Sequence, residues 1–198
     1  MLFNNGPGFR EKKKKKRRDF MDIIGLIIVV LIASILQVGT GFGFSVIATP
    51  FLFLLFKPHD AIQLNIMLSL LISILIFYKI HNDVNKKILA RLIKGSLFGL
   101  LPGLFFFLHF DVRMLKILVS ILILVSTGFL VAKVKIKQTR LKDLIAGALS
   151  GLLTVSIGIP GPPLVIYFAG ADMDKTTARS TILSYFMFIY FISLLLQL

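Results

Sequence analysis

A chain of 198 residues that is 57% hydrophobic and 16% charged, with mean hydropathy +0.90, carries more apolar surface than water tolerates, which excludes a soluble globular domain. Its 23 Lys and Arg against 9 Asp and Glu give a net charge of +14. In a soluble protein that excess would point to nucleic acid. Here the basic residues flank long uncharged runs and point to membrane topology, with the lipid bilayer as partner and no nucleic acid. Cysteine is absent, so disulfides and thiolate metal sites are excluded.

In chain order the first feature is Arg10 to Arg18 (REKKKKKRR), eight basic residues directly before an apolar run. The positive-inside rule makes residues 1–19 a cytoplasmic tail and residues 20–198 the transmembrane domain of a multi-pass protein of the cell membrane. The apolar run is too long for a signal peptide and ends in no A-x-A site, so it reads as an uncleaved anchor. The tail's plain role is to fix topology. Contact with anionic lipid is the sharper alternative.

The run Ile23 to Phe56 holds 34 uncharged residues, about 51 Å as helix against a hydrocarbon core of about 30 Å. Two full spans plus a turn need about 40 residues, so the length predicts one crossing: a long helix, a break at Gly39-Thr40-Gly41-Phe42-Gly43 and a half-helix. Ala61 to Tyr78 is a second crossing. Gly95 to Phe110 is a third, completed by the snorkelling ends Lys94 and His109. Ile117 to Ala132 is a fourth. Leu144 to Ala171, broken at Gly158-Ile159-Pro160-Gly161-Pro162-Pro163, is a fifth, and Ser180 to Leu198 a sixth. The predicted fold is all-α and polytopic, with about six membrane-crossing units, two of them broken by Gly/Pro segments. If each broken unit crosses once, the tail and the loops near Lys86 and Arg140 share the cytoplasmic side, and the basic residues divide 18 inside to 5 outside.

Isolated Gly and Pro in a span usually mark a kink or close helix packing. Three glycines in five residues and three prolines in four, each inside an overlong run, read instead as discontinuous helices lining a cavity. A repeat supports pairing the two. Leu36-Gln37-Val38-Gly39-Thr40-Gly41 matches Leu153-Thr154-Val155-Ser156-Ile157-Gly158 at three positions with an offset of 117, and Leu68-Ser69 matches Leu183-Ser184. The first repeat covers about 20–131 and a partial second one about 144–198.

A half-helix beginning inside the membrane offers unpaired N–H groups and a positive dipole end, which suits a small anion at Phe44 and at Leu164. The candidate substrate-binding residues are Gly39, Thr40, Gly41, Gly43, Ser45, Thr49, Pro50, Asn65, Ser156, Gly158, Pro160, Gly161, Pro162, Pro163 and Arg179. Glycine permits close approach, and the hydroxyls and the Asn65 amide can donate. Arg179 can grip an oxyanion with two donors. Each has a plainer use. Span hydroxyls bond the preceding turn, Asn65 and Gln63 can link helices, and Arg179 can snorkel or pair with Asp172 or Asp174. His59, His81 and His109 stand at span ends and form no metal site. No Asp, Glu or His lies deep in a span, so enzymatic chemistry, metal and cofactor are not expected, and neither is a buried proton carrier. An inside-negative potential suffices to drive an anion outward, at about 2.3 kcal/mol per charge per 100 mV.

GTGFGFSVIATPFLFLLFKPHDAIQLN resembles the first-repeat signature of the TauE/SafE sulfite exporter family, and GIPGPPLVIYFAGADMDKTTARSTILSYF resembles its second. KGSLFGLLPGLFFF and DVRMLKILVSILILVSTGFLV resemble the helix pair that closes each repeat. The resemblance covers roughly Phe20 to Leu198. It implies an exporter of sulfite, sulfonates or related organic acids, with about eight spans in two repeats. This chain stops after the second span of the second repeat. It is therefore expected to be a fragment of a longer protein or a short form completed by homo-oligomerisation. The alternative function is a non-transporting membrane subunit, or an inactive fragment that needs a partner or self-association.

Overall fold

The computed structural model describes the backbone of residues 7–132 and 135–197 and the side chains from Ile23 onward, apart from positions 112 and 130. The basic side chains of the tail and Lys133, which enter the charge count, lie outside the described residues. The described chain forms α1 (Pro7–Thr40), α2 (Phe44–Leu55), α3 (Pro58–Ile80), α4 (Lys86–His109), α5 (Val112–Val131), α6 (Arg140–Ile157), α7 (Gly161–Gly170) and α8 (Lys175–Gln197), with a 3-10 turn at His81–Asp83. Among the described residues four stretches are long and apolar enough to cross a membrane: Ile23–Thr40, Pro58–Asp83, Lys86–His109 and Lys175–Gln197. Ile35, Leu75, Phe98 and Leu124 stand on the outer surface, where lipid replaces water and an apolar exterior carries no penalty.

Local chemistry sets the helix limits. Asn85 and Thr139 accept the N–H groups of Ile88 and Lys142 and so cap α4 and α6. Pro58 opens α3, where a missing donor costs nothing. α1 ends at Gly41, with φ +85°, and α6 at Gly158, with φ +75°, a left-handed turn that glycine adopts freely. The boundaries around the two breaks keep one spacing: Thr40 and Ile157, Phe44 and Gly161, Pro58 and Lys175, Ile80 and Gln197 are each 117 positions apart.

α4 and α6 run parallel and share the most extensive helix contact among the described residues. A Cβ on Gly95 would lie 2.1 Å from the Leu144 carbonyl, one on Gly99 2.0 Å from that of Ala148, and one on Gly147 2.2 Å from that of Leu92. Small residues are how helices gain van der Waals contact where lipid offers no hydrophobic drive.

The single crossing expected of each broken unit does not form. α7 folds back along α6, since Ser150 Oγ donates to the Pro160 carbonyl at 2.8 Å, Tyr167 Oη to Asp143 Oδ1 at 2.6 Å, and the Ile136 N–H to the Gly170 carbonyl at 2.7 Å. α2 likewise folds back along α1, which packs chiefly on it and buries Ala33 and Gln37. Both units are re-entrant hairpins that enter from opposite faces. The Asn85 N–H donates to Thr181 Oγ1 at 3.0 Å, and Gln63 Nε2 to the Gln197 carbonyl at 3.0 Å, so α8 runs antiparallel to α3. One face, the loop face, therefore bears residues 81–85, 135–139 and 171–174. The start of α1 lies at the opposite face. Among the described residues, the start of α1 and the loops before Lys86 and Arg140 therefore lie toward opposite ends of the bundle, not at the one end expected from the charge count. Helix length predicts a crossing only where each helix reaches an interface. A re-entrant helix need only bury its end among protein groups.

Candidate functional site

The two breaks meet. Phe44 begins α2 and Gly161 begins α7, and no side chain caps either N-terminus. Gly161 packs under Phe42, with an ideal Cβ on Gly161 lying 3.6 Å from the Phe42 Cβ. Gln37, Gly43, Phe44, Ser45, Gly161 and Tyr190 enclose a space too tight for a water molecule. In α2 the N–H groups of Phe44, Ser45 and Val46 precede the first bond of the helix, from the Ile47 N–H to the Gly43 carbonyl at 3.0 Å. They present donors and a positive dipole end together. In α7 the residues at 162 and 163 are proline and carry no N–H. That half-helix therefore adds its dipole and the Gly161 N–H, not the run of donors expected from Leu164 onward.

A buried polar chain leads away from this space. Ser45 Oγ lies 2.7 Å from Tyr190 Oη and 3.5 Å from Ser69 Oγ, and Gln37 Nε2 donates to Ser73 Oγ at 3.3 Å. Sequence reasoning does not single out Tyr190, Ser73 or Gln37, because each is unremarked in a span until the hairpins bring them together. Ser69 leaves a trace, through the Leu-Ser match between the repeats. Thr49 is buried one turn beyond Ser45, and its hydroxyl has no partner among the described residues.

Beside the central space a cleft of about 640 Å³ opens toward the loop face, lined by Gly39, Thr40, Phe42, Phe168, Lys175 and Arg179. Arg179 Nε donates to the Val38 carbonyl at 2.6 Å. Arg179 pairs with neither Asp172 nor Asp174 among the described residues. Asp174 accepts instead from the N–H and hydroxyl of Thr177 at 2.9 and 3.1 Å, and these bonds hold its pKa below the ordinary value.

The sulfite exporter TauE/SafE family model matches residues 26–198, a span that takes in both breaks and all the residues of this site. The chain belongs to the TauE/SafE family. Comparison with curated proteins and with solved structures gave no match. Membership makes the protein a membrane transport protein of the anion-exporter type, in keeping with a non-enzymatic role.

The remaining candidates of this TauE/SafE protein divide by position. Asn65 is fully buried and donates from Nδ2 to the Gly158 carbonyl at 2.7 Å, bracing the second break. Pro160 supplies the carbonyl that Ser150 holds. Thr40 Oγ1 sits 2.7 Å from the Leu36 carbonyl, and Ser156 Oγ donates to the Leu152 carbonyl at 2.8 Å, so both hydroxyls bond their own preceding turn. Pro162 and Pro163 face away from the break and line an apolar groove with α5 and α6. Pro50 stands half-buried inside α2.

One ionisable group behaves differently from the reading of the sequence. Asp143 is in the first turn of α6, a span end, yet it is fully buried. It pairs with Arg91 Nη1 at 2.9 Å and accepts from Tyr167, tying α4, α6 and α7 together. No signal in the local sequence marks it, because both partners lie far along the chain. Among the described residues no group of three His, Cys, Asp or Glu side chains could hold a metal ion.

Proposed function

We propose that this TauE/SafE protein exports a small oxyanion, sulfite or a sulfonate or related organic acid, through a site between the two re-entrant hairpins. The observation that carries the reading is the convergence of two uncapped half-helix N-termini, at Phe44 and Gly161, on one buried space lined by Ser45 and Tyr190. Such termini replace an anion's hydration with fixed dipoles and N–H donors. Buried donors without partners cost roughly 1–3 kcal/mol each, which an oxyanion would recover. Gly41, Gly43 and Gly161 let the ligand approach the backbone, Thr49 adds a hydroxyl, and Arg179 receives the anion in the cleft.

The hydrophobic units contain an inverted repeat, with α1–α2–α3 related to α6–α7–α8. The constant spacing of 117 between their boundaries and their opposite directions support this. The tail, as the densest basic cluster, lies in the cytoplasm and the cleft opens outward. The membrane potential drives release, with no metal or cofactor. The buried carboxylate Asp143 is committed to Arg91 and Tyr167, which leaves the central space without a proton carrier.

The test is flux from vesicles loaded with sulfite or a sulfonate. A potential, positive outside, should drive efflux from equal concentrations, and clamping it at zero should nearly abolish net efflux. Strong efflux on a pH gradient at zero potential would overturn the coupling, and absence of any oxyanion flux would overturn the transport reading.

A further inference from the structure

We propose that Phe42 is the gate between the cleft and the central site, swinging on the two glycines that flank it; the idea rests on the central site proposed above. The break between α1 and α2 is three residues long, Gly41-Phe42-Gly43, with φ +85° at Gly41 and +120° at Gly43. Two left-handed glycines around one aromatic residue give that residue a range of backbone rotation that side-chain-bearing neighbours would forbid. Phe42 is the bulkiest residue of the break and is only partly buried, so it has room to move.

Its position fits the role. Phe42 lines the cleft with Thr40 and Arg179, and on its other side packs against Gly161, which lines the central space. Gly161 is its seat. A Cβ there would stand 3.6 Å from Phe42 and 3.8 Å from the ring edge of Phe186, so the bare glycine is flanked by one aromatic residue on the cleft side and one on the central side. With Phe42 seated, the central space excludes water. Thr40 holds the seated state: its hydroxyl accepts from the Phe42 N–H at 3.3 Å and lies against the Phe42 carbonyl. Arg179 is placed to sense an arriving anion, since its Cα lies 3.0 Å from where a Cβ on Gly41 would be. An anion drawn to the guanidinium therefore arrives next to the hinge, and displacing Phe42 opens the N-termini at Phe44 and Gly161 to it.

The chain contains no cysteine, so a thiol can be placed behind the gate without background. Ser45→Cys is treated with a small, membrane-impermeant methanethiosulfonate in purified full-length protein, with and without Phe42→Ala, and Lys175→Cys in the cleft reports the folded surface. The expected result is slow modification of Ser45→Cys, at least tenfold faster in the Phe42→Ala background and several-fold faster with Thr40→Val, while Lys175→Cys reacts equally fast in both backgrounds. An unchanged Ser45→Cys rate in a Phe42→Ala protein whose Lys175→Cys reacts normally would overturn the gate. If Phe42→Ala does not fold, Phe42→Leu is measured by the same comparison, and no acceleration there overturns it equally. Because accessibility is read without any substrate, the gate can fail while oxyanion flux stands, or stand while flux fails.

Discussion

Arg179 Nε meets the carbonyl of Val38 at 2.6 Å, so a guanidinium from the start of α8 closes the last turn of α1, 141 positions away in sequence. The contact places a cation at the negative end of a helix dipole. It also fixes one donor of the fork while the two terminal nitrogens make no hydrogen bond among the described residues. Lysine cannot hold a carbonyl and a second acceptor in that planar geometry. Arg179→Ala should raise the substrate concentration needed for half-maximal flux by tenfold or more, and Arg179→Lys should recover little of it. Flux against concentration in vesicles checks this, and full rescue by lysine would show that charge alone matters.

The hairpins make a topological prediction that holds in either orientation of the protein. Single cysteines at Asn85 and Gln138 should label from one side of the membrane, and a cysteine replacing Lys14 from the other. Labelling of all three from one side would restore the single-crossing topology and refute the re-entrant fold.

The glycine stripe between α4 and α6 leaves no space for a methyl group, because the opposing atoms are backbone carbonyls that cannot rotate away. Overpacking of a tight contact typically costs 1–3 kcal/mol, and approaches near 2 Å should put Gly99→Ala at or above roughly that range. Gly128→Ala is the control, since nothing lies within 4 Å of its Cβ position. Thermal unfolding in detergent should separate them, with a clear loss for Gly99→Ala and little change or a small gain for Gly128→Ala.

The Arg91–Asp143 pair should respond asymmetrically. Asp143 is fully buried, whereas the Arg91 side chain is 31% exposed. Arg91→Ala leaves a buried carboxylate without its counter-charge, a change that costs roughly 3–5 kcal/mol. Asp143→Asn leaves a guanidinium that can turn to solvent and keeps an acceptor for Tyr167, so it should cost distinctly less. Equal destabilisation in a thermal or denaturant series would mean that the pair acts as a unit rather than through the burial of Asp143.

Membrane residence, the all-helical class and the two breaks were legible in the sequence because each rests on a local quantity. Apolar runs exceed what water allows, and Gly and Pro clusters cannot continue a helix whatever surrounds them, so Gly39 to Gly43 and Gly158 to Pro163 had to interrupt their units. The direction taken after each break was not local. Whether α2 and α7 run on or fold back is decided by what receives them: the face of α1 for α2, and the Asp143, Ser150 and Ile136 contacts for α7. Tyr190 against Ser45, Arg179 against Val38 and Phe42 over Gly161 are likewise products of packing between distant segments. Composition and spacing set which residues could break, donate or hinge. The tertiary structure alone decided which of them face one another, because in lipid a polar or bare-backbone group is tolerated only where another part of the chain arrives to cover it.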